Sequence, residues 1–125
     1  MKMRAADIIE KISLHNPQYL TRHKKEIIDL CNAAKDKELK WHLALLIPRL
    51  HLHTKEFDNA WNTLTKWAKD KTNSRIVRVN SIQGLFEMIK QKNKLEKDFH
   101  LTLSEVEIEN IPSINARIRN IRKQI

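Results

Sequence analysis

Val77-Arg78-Val79-Asn80-Ser81-Ile82-Gln83-Gly84-Leu85-Phe86-Glu87-Met88 is the stretch that decides the fold. Counted from Val77 as offset 0, apolar or small residues occupy offsets 0, 4, 7, 8 and 11. Those positions lie along one stripe of a 3.6-residue helix. The same offsets read Leu39, Leu43, Leu46, Ile47 and Leu50 from a second anchor, and Met1, Ala5, Ile8, Ile9 and Ile12 from a third. From Ile114 they read Ile114, Ile118, Ile121, Arg122 and Ile125, so only offset 8 departs. The anchors are 38, 38 and 37 residues apart. A basic residue follows the anchor in three copies (Lys2, Lys40 and Arg78), and Asn115 does so in the fourth. One such stripe arises readily by chance; four in near-constant register mark an internal repeat.

Three more amphipathic segments lie between the anchored helices. Residues 17–34 open with Asn16 as N-cap and Pro17 in the first turn, and carry Leu20, Ile27, Leu30 and Cys31. Residues 54–70 carry Phe57, Ala60, Trp61, Leu64, Trp67 and Ala68 at three- and four-residue steps. Residues 94–110 carry Leu95, Phe99, Leu103 and Val106. This last segment also alternates through Leu101, Leu103, Val106 and Ile108, a strand-like pattern, and Ser104 with Glu107 matches a capping box. A lone strand has no partner elsewhere in the chain, so the segment reads as helix, unbroken or restarted near Ser104. The breaks between segments are short and polar, which makes successive helices antiparallel neighbours. The expectation is an all-α chain of about seven antiparallel helices, stacked so that each unit touches mainly its neighbours. It divides into a half-repeat at 1–15 and repeats at 16–53, 54–91 and 92–125.

Composition agrees. The chain has 125 residues, one domain's length, with one glycine, three prolines and one cysteine. Hairpin-rich β folds need residues at positive φ, so a single glycine argues against them, and glycine-rich phosphate loops need several glycines, so those are excluded. The single glycine, Gly84, falls at a small-residue packing position of a repeat helix. Pro48 falls inside another repeat helix, where it removes the backbone bond to Ala44 and kinks the helix. No secretory leader and no spanning segment are expected from the residue pattern, and Cys31 has no second cysteine to pair with. A soluble cytoplasmic protein is the expectation.

The pattern Val77-Arg78-x-x-Ser81-x-x-Gly84-Leu85-x-x-Met88 resembles the second helix of a HEAT repeat, with Leu39-Lys40 to Leu50 and Ile114-Asn115 to Ile125 as looser versions. The resemblance covers nearly the whole chain. It implies a right-handed α-α superhelix whose second helices line a concave surface, and a role in gripping partners. HEAT repeats usually place an Asp in the turn to ladder with the Arg; Asp36 and Asp70 stand near two turns here, and the third turn has none.

No nucleophile, base and orienting group can be assembled into a catalytic set, so no enzyme activity and no cofactor are expected. Glu105, Glu107 and Glu109 are spaced by two, which scatters them around a helix with no basic neighbour in sequence. His42, His51 and His53 lack the second ligand pair that zinc requires, so no metal site is expected. Trp61 and Trp67 lie on an apolar stripe and read as core. Trp41, at offset 2, reads as partly exposed, either packed against the adjacent helix or serving as a binding anchor.

The net charge of +9, from 24 Lys and Arg against 15 Asp and Glu, suggests an acidic partner. Offsets 1, 5, 9 and 12 are expected on the concave ridge. They supply Lys2, Lys40, Arg78, Arg119 and Lys123, with Ile82 and Phe86 interleaved as apolar area and Trp41 beside them. Such a ridge suits a protein with an acidic surface. The alternative is a nucleic-acid backbone.

Overall fold

The computed structural model describes residues 37–49 and 52–125. Within them lie α1 (Lys37–Leu46), a 3-10 turn (Ile47–Arg49), α2 (Thr54–Lys69) and α3 (Arg75–Ile89). A second 3-10 turn (Asn93–Leu95), α4 (Glu96–Glu107) and α5 (Pro112–Arg122) complete the order. The described chain is all-helical, with no strand among the described residues. Of about seven helices expected, five fall here; the segments at 1–12 and 17–34, with Asn16 and Cys31, lie outside the described residues. Within residues 94–110 a single α-helix, Glu96–Glu107, follows the 3-10 turn, without a restart at Ser104.

Local chemistry accounts for several of the boundaries. His53 caps α2 by accepting from the Glu56 N–H, while the Glu56 carboxylate accepts from the His53 N–H, a reciprocal capping box. Lys66 and Lys69 sit in its last turn, where the helix dipole favours cations. Ser74 caps α3 by accepting from the Val77 N–H. Pro112 opens α5, where its missing N–H costs nothing. Asn110, with φ of 55°, makes the left-handed residue that reverses the chain between α4 and α5. In place of the kink expected at Pro48, the α-helix ends: after Leu46 it gives way to the 3-10 turn.

Alternate helices pack side by side. α1 lies against α3 and α3 against α5, while α2 lies against α4 and both α2 and α4 pack on α3. The described helices therefore form two rows, α1–α3–α5 and α2–α4. α3 is the centre: Val77, Ser81, Ile82, Gly84, Leu85 and Met88 are fully or almost fully buried. Apolar burial of this extent contributes about 1.5–3 kcal/mol per large side chain before chain entropy is set against it. Ser81 donates its hydroxyl to the Val77 carbonyl, so its burial leaves no orphan donor. At the crossing of α3 with α1, a Cβ on Gly84 would stand 2.8 Å from the Ala44 carbonyl oxygen and 3.1 Å from Leu64 Cδ1. Trp61 seals α2 to α4 by donating its indole N–H to Asp98 Oδ2 at 2.8 Å while its ring meets Phe99 edge-on.

Candidate functional site

The residues expected on one basic ridge do not share a surface. Lys2 lies outside the described residues. Trp41 belongs to α1, and its side chain lies outside the described residues. Lys40 reaches forward: its ammonium donates to Asn73 Oδ1 at 3.0 Å and sits 5.6 Å from the centre of the Trp67 ring. Arg78 is 2% exposed, Ile82 fully buried and Phe86 5% exposed. Arg119 and Lys123 are exposed on α5.

Arg78, Ile82 and Phe86 therefore correct the expected ridge. Offsets 1, 5 and 9 form the edge of α3 that meets the following unit. Phe86 stacks on Phe99 of α4, with ring centres 6.4 Å apart. Arg78 donates Nε to the Ala68 carbonyl at 2.9 Å and both Nη groups to Glu109, at 3.0 and 2.6 Å. The same edge of α5 carries Asn115, Arg119 and Lys123. Arg119 and Lys123 are exposed, whereas Asn115 keeps a contact like that of Arg78, its amide donating to the Glu107 carbonyl at 3.4 Å. Lys40, Arg78 and Asn115, each one residue after an anchor, thus tie down inter-helix turns.

The turn carboxylates are equally structural. Asp70, which stands near the turn as a ladder partner would, instead accepts from the Thr72 hydroxyl and N–H at 2.6 and 2.9 Å. These bonds hold its carboxyl below the usual aspartate value. Glu109 takes Arg78, and that bond holds its carboxyl below the usual glutamate value despite partial desolvation. Glu105 and Glu107, which have no basic neighbour in sequence, also receive cations from the fold. Lys69 lies 3.0 Å from Glu105, and Arg122 spans both oxygens of Glu107 at 2.8 Å. His53, one of the histidines weighed as a ligand, is the cap of α2. No group of three or more metal-ligating side chains occurs among the described residues.

The open surface of α3 is a different stripe. Ile76 is 46% exposed, and Val79, Gln83 and Glu87 are half-buried along the same side. Counted from the anchors, these are offsets −1, 2, 6 and 10. On α1 offset 6 is Leu45, half-buried; on α5 offsets 2, 3 and 6 are Ala116, Arg117 and Asn120. Arg117 donates to Gln83 Oε1 at 3.3 Å, tying the α3 and α5 parts of this face together. Gln83 in turn donates to Glu87. The face across α1, α3 and α5 is therefore mixed apolar and polar.

A groove of about 240 Å³ opens beside Leu52, Thr54, Phe57, Gln91 and Lys92. Its cation is already engaged: Lys92 stands 4.9 Å from the centre of the Phe57 ring and 3.6 Å from Asp58. No helix among the described residues is long and apolar enough to cross a membrane. Comparison with protein-family models, curated proteins and solved structures found no match.

Proposed function

We propose that the protein is a non-catalytic protein-interaction module of the cytoplasm, built as a short HEAT-like solenoid of about seven helices in a right-handed superhelix. The observation that carries this reading is the outer stripe of α3. That helix is packed on by α1, α2, α4 and α5, yet leaves Ile76 exposed and Val79 and Gln83 only half-buried. An apolar and amide-bearing strip, continued by Leu45 on one side and Asn120 on the other, suits a protein surface. Arg119 and Lys123, exposed on the neighbouring edge of α5, suit a partner with carboxylates at that end.

The stripe also bears on the choice between protein and nucleic acid. Phosphate backbones are held by clustered cations, whereas offsets 2, 6 and 10 of α3 supply Val79, Gln83 and Glu87. The protein reading is favoured accordingly.

A photo-crosslinking amino acid at position 83, compared with one at the exposed Lys55 on α2, tests it in native extract. A crosslinked protein specific to position 83 and lost on Ile76→Glu supports the proposal. Equal products from both positions, or none from either, reject it. Titration of labelled duplex and single strands at several salt concentrations tests the alternative. Micromolar affinity falling steeply with salt would replace the protein reading with a nucleic-acid one.

A further inference from the structure

The edge of α3 at offsets 1, 5 and 9 is covered by α4 and the turn after it. Phe86 meets Phe99, and Arg78, earlier in α3, meets Glu109, later in the chain than Phe99. The covering segment therefore runs antiparallel to α3. Beyond Arg78 that edge is apolar, with Ile82 fully buried and Phe86 5% exposed. On α5 the same two offsets hold Arg119 and Lys123. Both are exposed, and neither makes an ion pair or a side-chain hydrogen bond among the described residues. We propose that this edge of α5 docks an acidic helix of a partner protein, laid antiparallel as α4 lies on α3, with carboxylates four residues apart facing Lys123 and Arg119. The inference rests on the protein-binding reading above and names the partner's chemistry at one edge.

Any cover on this edge takes two cations out of water, which is costly unless it brings counter-charges. Positions 119 and 123 are separated by about 6 Å along the axis and about 40° around it. Glutamates or aspartates at i and i+4 of a facing helix have the same separation. In the antiparallel sense the carboxylate facing Lys123 lies nearer the partner helix's N-terminus, where the dipole also favours an acid. At the other end of the edge stands Asn115, at the offset from which Arg78 reaches Glu109. Its Oδ1 is buried and has no donor. A peptide can bring an N–H there, met by a small turn of the amide, whereas a phosphodiester backbone has no donor to offer. Two free cations also neutralise only two phosphates, which gives a nucleic acid little of its salt-dependent affinity.

Titration of the isotope-labelled full chain with a synthetic helix tests it, followed by amide chemical shifts in about 0.15 M salt. The probe is an alanine-rich peptide of about 20 residues, long enough to hold a helix, with glutamates at i and i+4. The expected result is a set of shifts gathered at Asn115, Arg119 and Lys123, with a Kd of about 1 mM. Arg119→Glu with Lys123→Glu weakens binding about tenfold or more, because two attractive pairs become repulsive. Lys55→Glu with Lys97→Glu changes the net charge equally and leaves binding within about twofold. A peptide of the same composition with its glutamates at i and i+2, which do not share a face, binds about tenfold more weakly. Shifts scattered over the surface, no shift up to about 5 mM peptide, or equal loss in both double variants overturns the proposal. So does a labelled DNA duplex that moves the same amides at lower concentration, or a dimer of the chain alone that Arg119→Glu with Lys123→Glu disperses. Ile76→Glu leaves the peptide bound, so failure at the α3 stripe and failure at this edge are told apart. The altered side chains are exposed, and circular dichroism of each variant checks that folding is retained.

Discussion

Gly84 of α3 lies against the carbonyl oxygen of Ala44 in α1, with room for a hydrogen and none for a methyl group. Pro48 stands on the other side of this relationship. It has no N–H to give the Ala44 carbonyl, and its Cγ lies 3.5 Å from the place of a Gly84 Cβ. A proline that ends one helix and the chain's single glycine thus meet at one crossing, which sets how closely α1 and α3 approach.

Gly84→Ala tests that crossing. Helix propensity alone favours alanine by about 1 kcal/mol. The added carbon would meet backbone at 2.8 Å and Leu64 at 3.1 Å, and backbone cannot swing aside. Overpacking of this kind costs about 1–3 kcal/mol. The expected outcome is net destabilisation with undiminished helix content, read from urea midpoints and circular dichroism. Equal or greater stability would show that α1 moves freely on α3.

The Arg78–Glu109 pair supplies a second test. Arg78 joins the end of α2, through the Ala68 carbonyl, to the α4–α5 turn, through both Glu109 oxygens. Arg78→Met strands a buried carbonyl and a mostly buried carboxylate, at a cost of about 3 kcal/mol. Adding Glu109→Gln removes the stranded charge, so the double variant should lose less than the sum of the single losses. Additive losses in denaturant titrations would show that the two side chains act independently.

Acid provides a third. The Arg78 hydrogen bond holds the folded Glu109 carboxyl below its ordinary value of 4.5, so the unfolded chain binds the proton more readily. The resulting stability is complete above that ordinary value and is lost as pH falls through the lower, folded one. Asp70, held down by Thr72, contributes with the same sign below its ordinary value of 3.8. Urea midpoints should fall more steeply from pH 6 to pH 3 in the native chain than in Glu109→Gln. Parallel slopes would remove Glu109 from the acid response.

The helices were legible because each buries a stripe at 3.6-residue steps, and that period survives in the order of residues alone. The outward edge was less so. Offsets 1, 5 and 9 of α3 read as a basic ridge only while Ile82 and Phe86 are taken for interleaved surface. Two apolar residues on a second edge are instead the mark of a central helix packed on more than one side. The partners of Glu105, Glu107 and Glu109 were not legible. Lys69, Arg122 and Arg78 come from three different helices, and stacking, not spacing, brings them there. The opposite case is His53: next to a helix start and three residues before Glu56, it fits the position of a cap, but histidine is seldom counted among cap formers.

That cap yields the last prediction. His53 satisfies the Glu56 N–H through Nδ1, at 3.3 Å, and receives Glu56 Oε1 on its own N–H at 3.1 Å. Only a ring nitrogen without a proton can accept, so the bonding fixes Nδ1 as bare and the proton on Nε2. His53→Ala removes the acceptor and should cost about 1 kcal/mol. The loss should be local: amide exchange should quicken in the first turn of α2 and leave Leu64, Trp67 and Ala68 protected, because those residues lie deep in the core. His53→Ser supplies a shorter oxygen acceptor in the same position and should restore protection. If serine and alanine behave alike, the capping box contributes nothing and packing of Phe57 and Trp61 alone sets where α2 begins.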